Sequence, residues 1–280
     1  MTSATIPAPL LVVDGMSMLF ATLGYGSTLA PNGQPMVGTY GFFDMLRASI
    51  HGDLPAASEL VVAFDGENSR AARQALYPPY KAHRVRRPED EALLTAVPVI
   101  RRTLEQSGIA VYAMAGAEGD DQIASIVAGE KPDRRIAVWS RDRDLYALVT
   151  DRVLVLDAKR PRGERFVTER VVLAEYGVTP AQWTDYRALV GDSSDGIPGV
   201  TGIGEDTAAR VLAGGFLLED LPNSGRCTGR AKKIFEQWEN ALLFRDLIRL
   251  RRDLDVGYVS TGGPSPELPD VHRLHTEFGL

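Results

Sequence analysis

The sequence predicts an α/β protein with a central, mostly parallel sheet flanked by helices. Three observations predict it. Short apolar runs recur and close on Asp, segments of helical period separate them, and strand signals stop near residue 180.

The first run is Leu10-Leu11-Val12-Val13, closed by Asp14-Gly15. Such a run reads as a buried parallel strand with a loop at its carboxyl end. Leu60-Val61-Val62-Ala63-Phe64 repeats the pattern before Asp65-Gly66. Arg135-Ile136-Ala137-Val138-Trp139 repeats it before a loop that carries Asp142 and Asp144. Val153-Leu154-Val155-Leu156 is a shorter candidate that ends at Asp157, a turn residue placed outside the site. Helical period covers 41–50, 91–106 and 120–128 between these runs. Beyond Thr179 only helical segments remain, at 180–190, 205–212 and 229–252. The chain therefore divides into an α/β unit over 1–180 and a helical unit over 181–280, with a Pro-rich loop at 262–269.

Composition narrows the function classes. The 280 residues are 44% hydrophobic and 24% charged, as in a globular protein with a real core. A single cysteine, Cys227, excludes a disulfide scaffold and fits a reducing compartment. No apolar run reaches the roughly 18 residues of a membrane helix. The first nine residues carry no basic stretch, so no signal peptide is expected and a cytoplasmic location is.

Nine acids stand out by position. Asp14, Asp65, Asp142 and Asp144 lie at or just past strand ends. Glu118, Asp120 and Asp121 open a helix, and Asp192 and Asp195 lie in Gly191-Asp192-Ser193-Ser194-Asp195-Gly196. Any one of them reads equally well as a helix cap or a turn residue. Together they would crowd one edge of the sheet, where ligands of such folds bind. Like charges gathered there call for a bound cation. An oxygen-only set without His or Cys clusters selects Mg²⁺ or Mn²⁺ over zinc. Nine carboxylates exceed what one ion uses, whereas a pair about 3.5–4 Å apart serves in-line phosphoryl displacement.

Charge supports a polyanionic partner in spite of the average. The chain is at −6, but with the nine acids set aside the rest is at +3. Residues 70–102 hold eight Lys and Arg against three acids, Arg86 among them. There Tyr77-Pro78-Pro79-Tyr80-Lys81-Ala82-His83-Arg84 sets aromatic rings beside cations, a mixture suited to bases and phosphates or to a solvated loop. The turn Gly199-Val200-Thr201-Gly202-Ile203-Gly204 leads into a helix of small residues. Gly202 and Gly204 allow close backbone approach to a phosphate, which is a helix-hairpin-helix signature for gripping DNA. A second basic stretch, 226–252, reads as a further backbone contact or a solvated face.

In order along the chain, Val12-Val13-Asp14-Gly15, Ala63-Phe64-Asp65, Tyr80-Lys81-Ala82-His83-Arg84, Glu118-Gly119-Asp120-Asp121, Asp142-Arg143-Asp144-Leu145-Tyr146 and Asp192-Ser193-Ser194-Asp195-Gly196-Ile197-Pro198-Gly199-Val200 resemble the 5′-to-3′ exonuclease domain of bacterial DNA polymerase I and the flap endonucleases. The resemblance covers about residues 10–215 and suggests a free-standing member. It implies a PIN-like fold with a helical arch at about 66–100 and a helix-three-turn-helix module. It implies hydrolysis of DNA phosphodiesters at 5′ flaps and 5′ ends by a monomer. Asp14, Asp65, Glu118 and Asp120 would hold a first metal. Asp142, Asp144 and Asp195 would hold a second, with Asp121 and Asp192 direct or water-mediated. Lys81 and Arg84 would stabilise charge on the scissile phosphate, Tyr80 would stack on the terminal base, and Arg73 would help place the substrate. The carbonyls of Val200 and Ile203 would be donors to K⁺. The chain departs from the pattern after Asp14-Gly15, where Met16-Ser17-Met18-Leu19-Phe20-Ala21 replaces His-Ser-Leu-Leu-Tyr-Arg, so a substrate-contacting Arg is missing at Ala21. Phe-Arg becomes Ala72-Arg73, and Glu-Ala-Asp-Asp becomes Glu118-Gly119-Asp120-Asp121. These departures leave a catalytically impaired DNA-junction-binding protein of the same fold as the alternative.

Overall fold

The computed structural model describes residues 8–54, 58–84 and 87–280. Arg86 of the basic segment and residues 1–7 of the leader reading lie outside them. The six strands are β1 (Leu10–Asp14), β2 (Glu59–Ala63), β3 (Ala110–Tyr112), β4 (Ile136–Trp139), β5 (Val153–Leu156) and β6 (Phe166–Val167). Their order is β3-β2-β1-β4-β5-β6, with β6 antiparallel to β5 and every other pair parallel.

The four apolar runs form β1, β2, β4 and β5, as their composition predicts. β1 lies at the centre, with Val12 opposite Val61 on one side and Val138 on the other. The chain winds outward to β3, then restarts beside β1 with β4. Such a reversal opens a crevice at the carboxyl ends of the two central strands. Asp14 ends β1 and Asp142 follows β4, so the topology alone brings these two acids together.

Alternation along the strands divides the core into two layers. Leu10, Val12, Val61 and Val138 face the helix Gly119–Gly129 and the C-terminal helices. Leu11, Val13, Val62 and Trp139 face Phe42, Phe43 and Phe64 on the other side. Both faces are covered, which is why these strands are apolar throughout. Each fully buried Val, Leu or Phe contributes about 1.5–3 kcal/mol.

Two of the longer expected helices break. The segment 91–106 breaks at Thr95 into Pro88–Leu94 and Ala96–Gln106. The segment 229–252 breaks into Gly229–Lys232, Lys233–Glu236 and Trp238–Ile248, because Gln237 (φ −125°, ψ 31°) leaves helical geometry. Helices Trp183–Val190 and Glu205–Leu212 flank the loop 191–204. Gly191 and Gly199 meet back to back there: a Cβ on Gly199 would fall 2.5 Å from the Gly191 nitrogen.

Residues beyond 250 return to the sheet. The Ser265 hydroxyl accepts from Leu60 N–H at 2.8 Å, and Leu268 and Leu274 join the second core layer. Beneath this returning segment, buried Arg134 pairs with Glu59 and Glu130. Tyr258, Ser260 and Thr261 bond to the same three side chains. No helix among the described residues is long and apolar enough to cross a membrane.

Candidate active site

Asp14 caps the helix Gly15–Ala21 by accepting from Ser17 N–H at 2.8 Å. Its other oxygen accepts from the Ser140 hydroxyl at 2.7 Å. Ser140 accepts in turn from Asp142 N–H at 3.0 Å, so one serine locks the ends of β1 and β4 together. Asp65 accepts from Gly119 N–H at 2.8 Å and thereby fixes the start of the helix that carries Asp120 and Asp121. The neighbouring glycine is required by close approach: a Cβ on Gly66 would fall 1.7 Å from the Met114 carbonyl oxygen. Asp142 accepts from Asp144 N–H at 2.9 Å and turns the chain after β4.

Asp14, Asp65, Glu118, Asp120 and Asp142 line one cavity of about 290 Å³. Asp142 also lines an adjoining cavity of about 690 Å³, with Asp192 and Arg187. Buried Asp144, Asp192 and Asp195 each offer an oxygen within 4.8 Å of the others. Eight of the nine acids thus lie in or beside two adjoining cavities, and among the described residues Asp144, Asp192 and Asp195 are the set whose oxygens already stand within reach of one ion.

The electrostatics show the strain of that crowding. Burial pushes the Asp14 carboxyl up to about 7, with Asp142 and Asp65 adding repulsion. Asp120 and Asp144 are raised well above the usual carboxylate range, by burial first and Asp142 next. Burial also raises Asp195, against the pull of Lys81 and Arg84. Asp192 stays low in spite of burial, because the Arg187 guanidinium and Ser194 hold its charged form. Raised carboxyls facing one another are a recurrent mark of functional sites.

Asp121 departs from the expected ligand role. It is fully buried, and Arg73 and Arg251 bond both of its oxygens at 2.7–3.0 Å. These contacts hold its carboxyl down in spite of burial and direct it away from the crevice. It therefore ties the arch side of the molecule to the returning C-terminal segment.

The arch-side residues fold onto the acids. Lys81 lies 2.5 Å from Glu118 and 3.4 Å from Asp195, and Arg84 lies 2.5 Å from Asp195. Lys81 adopts φ 53°, a strained backbone for a lysine. Arg73 pairs with Glu118 as well as Asp121. Tyr80 differs from expectation: it is only 3% exposed, packs in the first core layer and donates to Glu118 at 2.9 Å. A ring so placed has no free face for a base.

Gly202 and Gly204 are exposed on the hairpin, as the turn sequence predicts. The Val200 carbonyl accepts from Ile203 N–H at 2.9 Å and closes the turn. The Lys233 ammonium reaches the same turn, 3.0 Å from where a Gly202 Cβ would stand.

Sequence reasoning missed Ser140, Arg187 and the cleft cations Arg141 and Lys159. Arg187 had a usable signal, since it lies one turn before Gly191-Asp192 at the end of a helix. Arg70 and Arg251 belong to the two basic stretches, but the pairing of Arg251 with Asp121, 130 residues away, had no signal.

Acids gathered at the switch point of a mostly parallel sheet, with a helical module beside them, form a donor set for divalent cations such as metal-dependent nucleases use. Family models agree: residues 9–177 match the 5′-3′ exonuclease N-terminal resolvase-like domain, and residues 178–261 match the 5′-3′ exonuclease C-terminal SAM fold. The chain belongs to the 5′-3′ exonuclease family. It is 31% identical to a 5′-3′ exonuclease of Aquifex aeolicus, over 95% of this chain and 89% of that one. It is 34% identical to the thermostable DNA polymerase I of Thermus aquaticus, over 96% of this chain. The chain spans about a third of the length of that polymerase (32%). Among solved structures, T5 5′-exonuclease with bound zinc ions aligns with a TM-score of 0.66 at 20% identity, over 87% of this chain and 90% of that one. Human GEN1 in complex with Holliday junction DNA aligns with a TM-score of 0.59 at 15% identity, over 98% and 69%.

Proposed function

We propose that this chain is a metal-dependent, structure-specific 5′ nuclease that hydrolyses DNA phosphodiesters at 5′ flaps and 5′ ends in replication and repair. The observation that carries the reading is the gathering of eight carboxylates in and beside two adjoining cavities at the switch point. The donor chemistry fits hard divalent ions, Mg²⁺ or Mn²⁺. Asp14, Asp65, Glu118, Asp120 and Asp142 would hold one ion, and Asp144, Asp192 and Asp195, next to Asp142, a second. Such a pair activates water and stabilises the charge of an in-line displacement.

The chain's own residues do the rest. Ser140 and Ser17 orient the Asp14 carboxylate, and Arg187 orients Asp192. Lys81 and Arg84 stand over the acids, where a phosphate would take them as partners in place of Glu118 and Asp195. In that position they stabilise charge developing on the scissile group. Arg73 sets Glu118 and reaches the substrate only through it. Gly202 and Gly204 bring the hairpin backbone to duplex phosphates, beside the Lys233 ammonium. The carbonyls of Val200 and Ile203 are the proposed donors to K⁺ at the hairpin. Monomeric action in the cytoplasm completes the reading.

Labelled flap DNA, incubated with Mg²⁺ and then with a chelator, tests it. Cleavage in the first case and none in the second is expected, and no cleavage in either refutes it. Lys81→Ala should slow single-turnover cleavage more than it weakens binding. An unchanged rate would remove Lys81 from the chemistry.

A further inference from the structure

A third cavity, of about 370 Å³, opens beside the acidic bowl. Arg141 and Lys159 line both cavities, so the two share a wall on the β4–β5 side. Their chemistry differs. The bowl is lined by five acids, whereas this cavity has Arg141, Lys159 and Arg165 and no carboxylate in its lining. Arg165 is paired with Asp53 at 3.1 Å. Arg141 and Lys159 have no carboxylate partner among the described residues; the Lys159 ammonium only donates to the Arg141 carbonyl at 3.0 Å. The floor is a half-buried Tyr25 ring with Met45 and Ala48. The Tyr25 hydroxyl donates to Asp44, which fixes the ring in place. Room for the cavity comes from Ala21, a small side chain in its wall.

We infer that this cavity is a nucleotide subsite for the DNA strand running out of the bowl, with Arg141 and Lys159 on its phosphate and Tyr25 and Met45 against its base. The inference rests on the nuclease reading and extends it to a wall that no other assigned residue occupies. Two unpaired cations beside an aromatic floor are the combination that single strands recognise. The volume falls in the lower part of the range of small-ligand sites, about 300–1,000 Å³.

Two measurements test the subsite on the full chain with flap DNA and Mg²⁺. In Arg141→Ala/Lys159→Ala, the half-saturating DNA concentration should rise, and the slope of log affinity against log salt should shrink by roughly 0.7 for one lost single-strand phosphate contact. In the wild-type protein, an abasic site moved along the strand should weaken binding by roughly tenfold at one position. Ala21→Leu, which fills the cavity, should flatten that profile. Unchanged affinity and slope in the double variant overturn the inference, as does a flat abasic profile in a wild-type protein that cleaves. A wild-type chain that neither binds nor cleaves flap DNA overturns it together with the nuclease reading.

Discussion

Replacing Arg187 by Met tests how the acids are held apart. The Arg187 guanidinium lies 3.4 Å from Asp144 and pairs more closely with Asp192. Its side chain is 17% exposed, and those of its partners are 11% and 7%. Breaking a buried pair by removing one partner costs about 3–5 kcal/mol. Some access to water and the capacity of Asp144 to take up a proton place the cost near the lower end, about 3 kcal/mol. A chain of this size loses about 2–4 °C of melting temperature per kcal/mol, so Arg187→Met should melt roughly 6–12 °C lower in chelator. The loss should shrink as pH falls towards about 5, because Asp144, already raised by burial and Asp142, takes up a proton more readily than a free carboxylate and then needs the guanidinium less. Mg²⁺ at about pH 8 should recover most of it, by supplying positive charge to the same three acids. Calorimetry in chelator and in Mg²⁺ at the two pH values gives all four numbers. Equal melting temperatures for variant and wild type in chelator at pH 8 would refute the reasoning.

Asp142, shared by the two acidic cavities, is the position where loss of charge should matter most. Asp142→Asn is expected to abolish flap cleavage while DNA still binds in a gel-shift assay, and full cleavage would refute its metal role. The folded Asp14 carboxyl, at about 7, is raised above the unfolded value of about 3.9. Its stabilisation is therefore complete below about pH 4 and is lost as pH rises through 7. Melting in chelator should accordingly fall between these limits, while Mg²⁺ affinity, measured by titration calorimetry, climbs with proton release. A flat melting profile would exclude a raised Asp14. Tyr80→Phe removes a buried hydroxyl bonded to charged Glu118 and should cost about 1.5–3 kcal/mol in chemical denaturation. Unchanged stability with weakened DNA binding would instead restore the stacking role.

Much of this architecture is legible in the sequence because period and closure coincide. β1, β2, β4 and β5 are apolar runs long enough to be buried on both faces. β3 is three residues and β6 two, and both draw their strand character from partners distant in sequence. Gln237 breaks a helix without any Gly or Pro to announce it. In the site, the acids are legible because strand ends and helix starts fix their positions. Their partners are not: Arg251 reaches Asp121, and Ser140 reaches Asp14, only after the chain has folded back. Tyr80 misleads for the same reason. Tyr77-Pro78-Pro79-Tyr80 has the composition of an exposed turn, yet Glu118 draws the second ring inward.

The last thirty residues act as a girth strap. They leave the helical module at Arg251, cross the sheet above the Glu59–Arg134 pair and buckle into the far layer at Leu274. Cutting the strap would strand an arginine and two glutamates without Tyr258, Ser260 and Thr261, and would loosen Arg251 from Asp121. The tail thus adds a second covalent path between the sheet and the helical module, beside the ion pairs that already join them, and a protease that nicks it should slacken both.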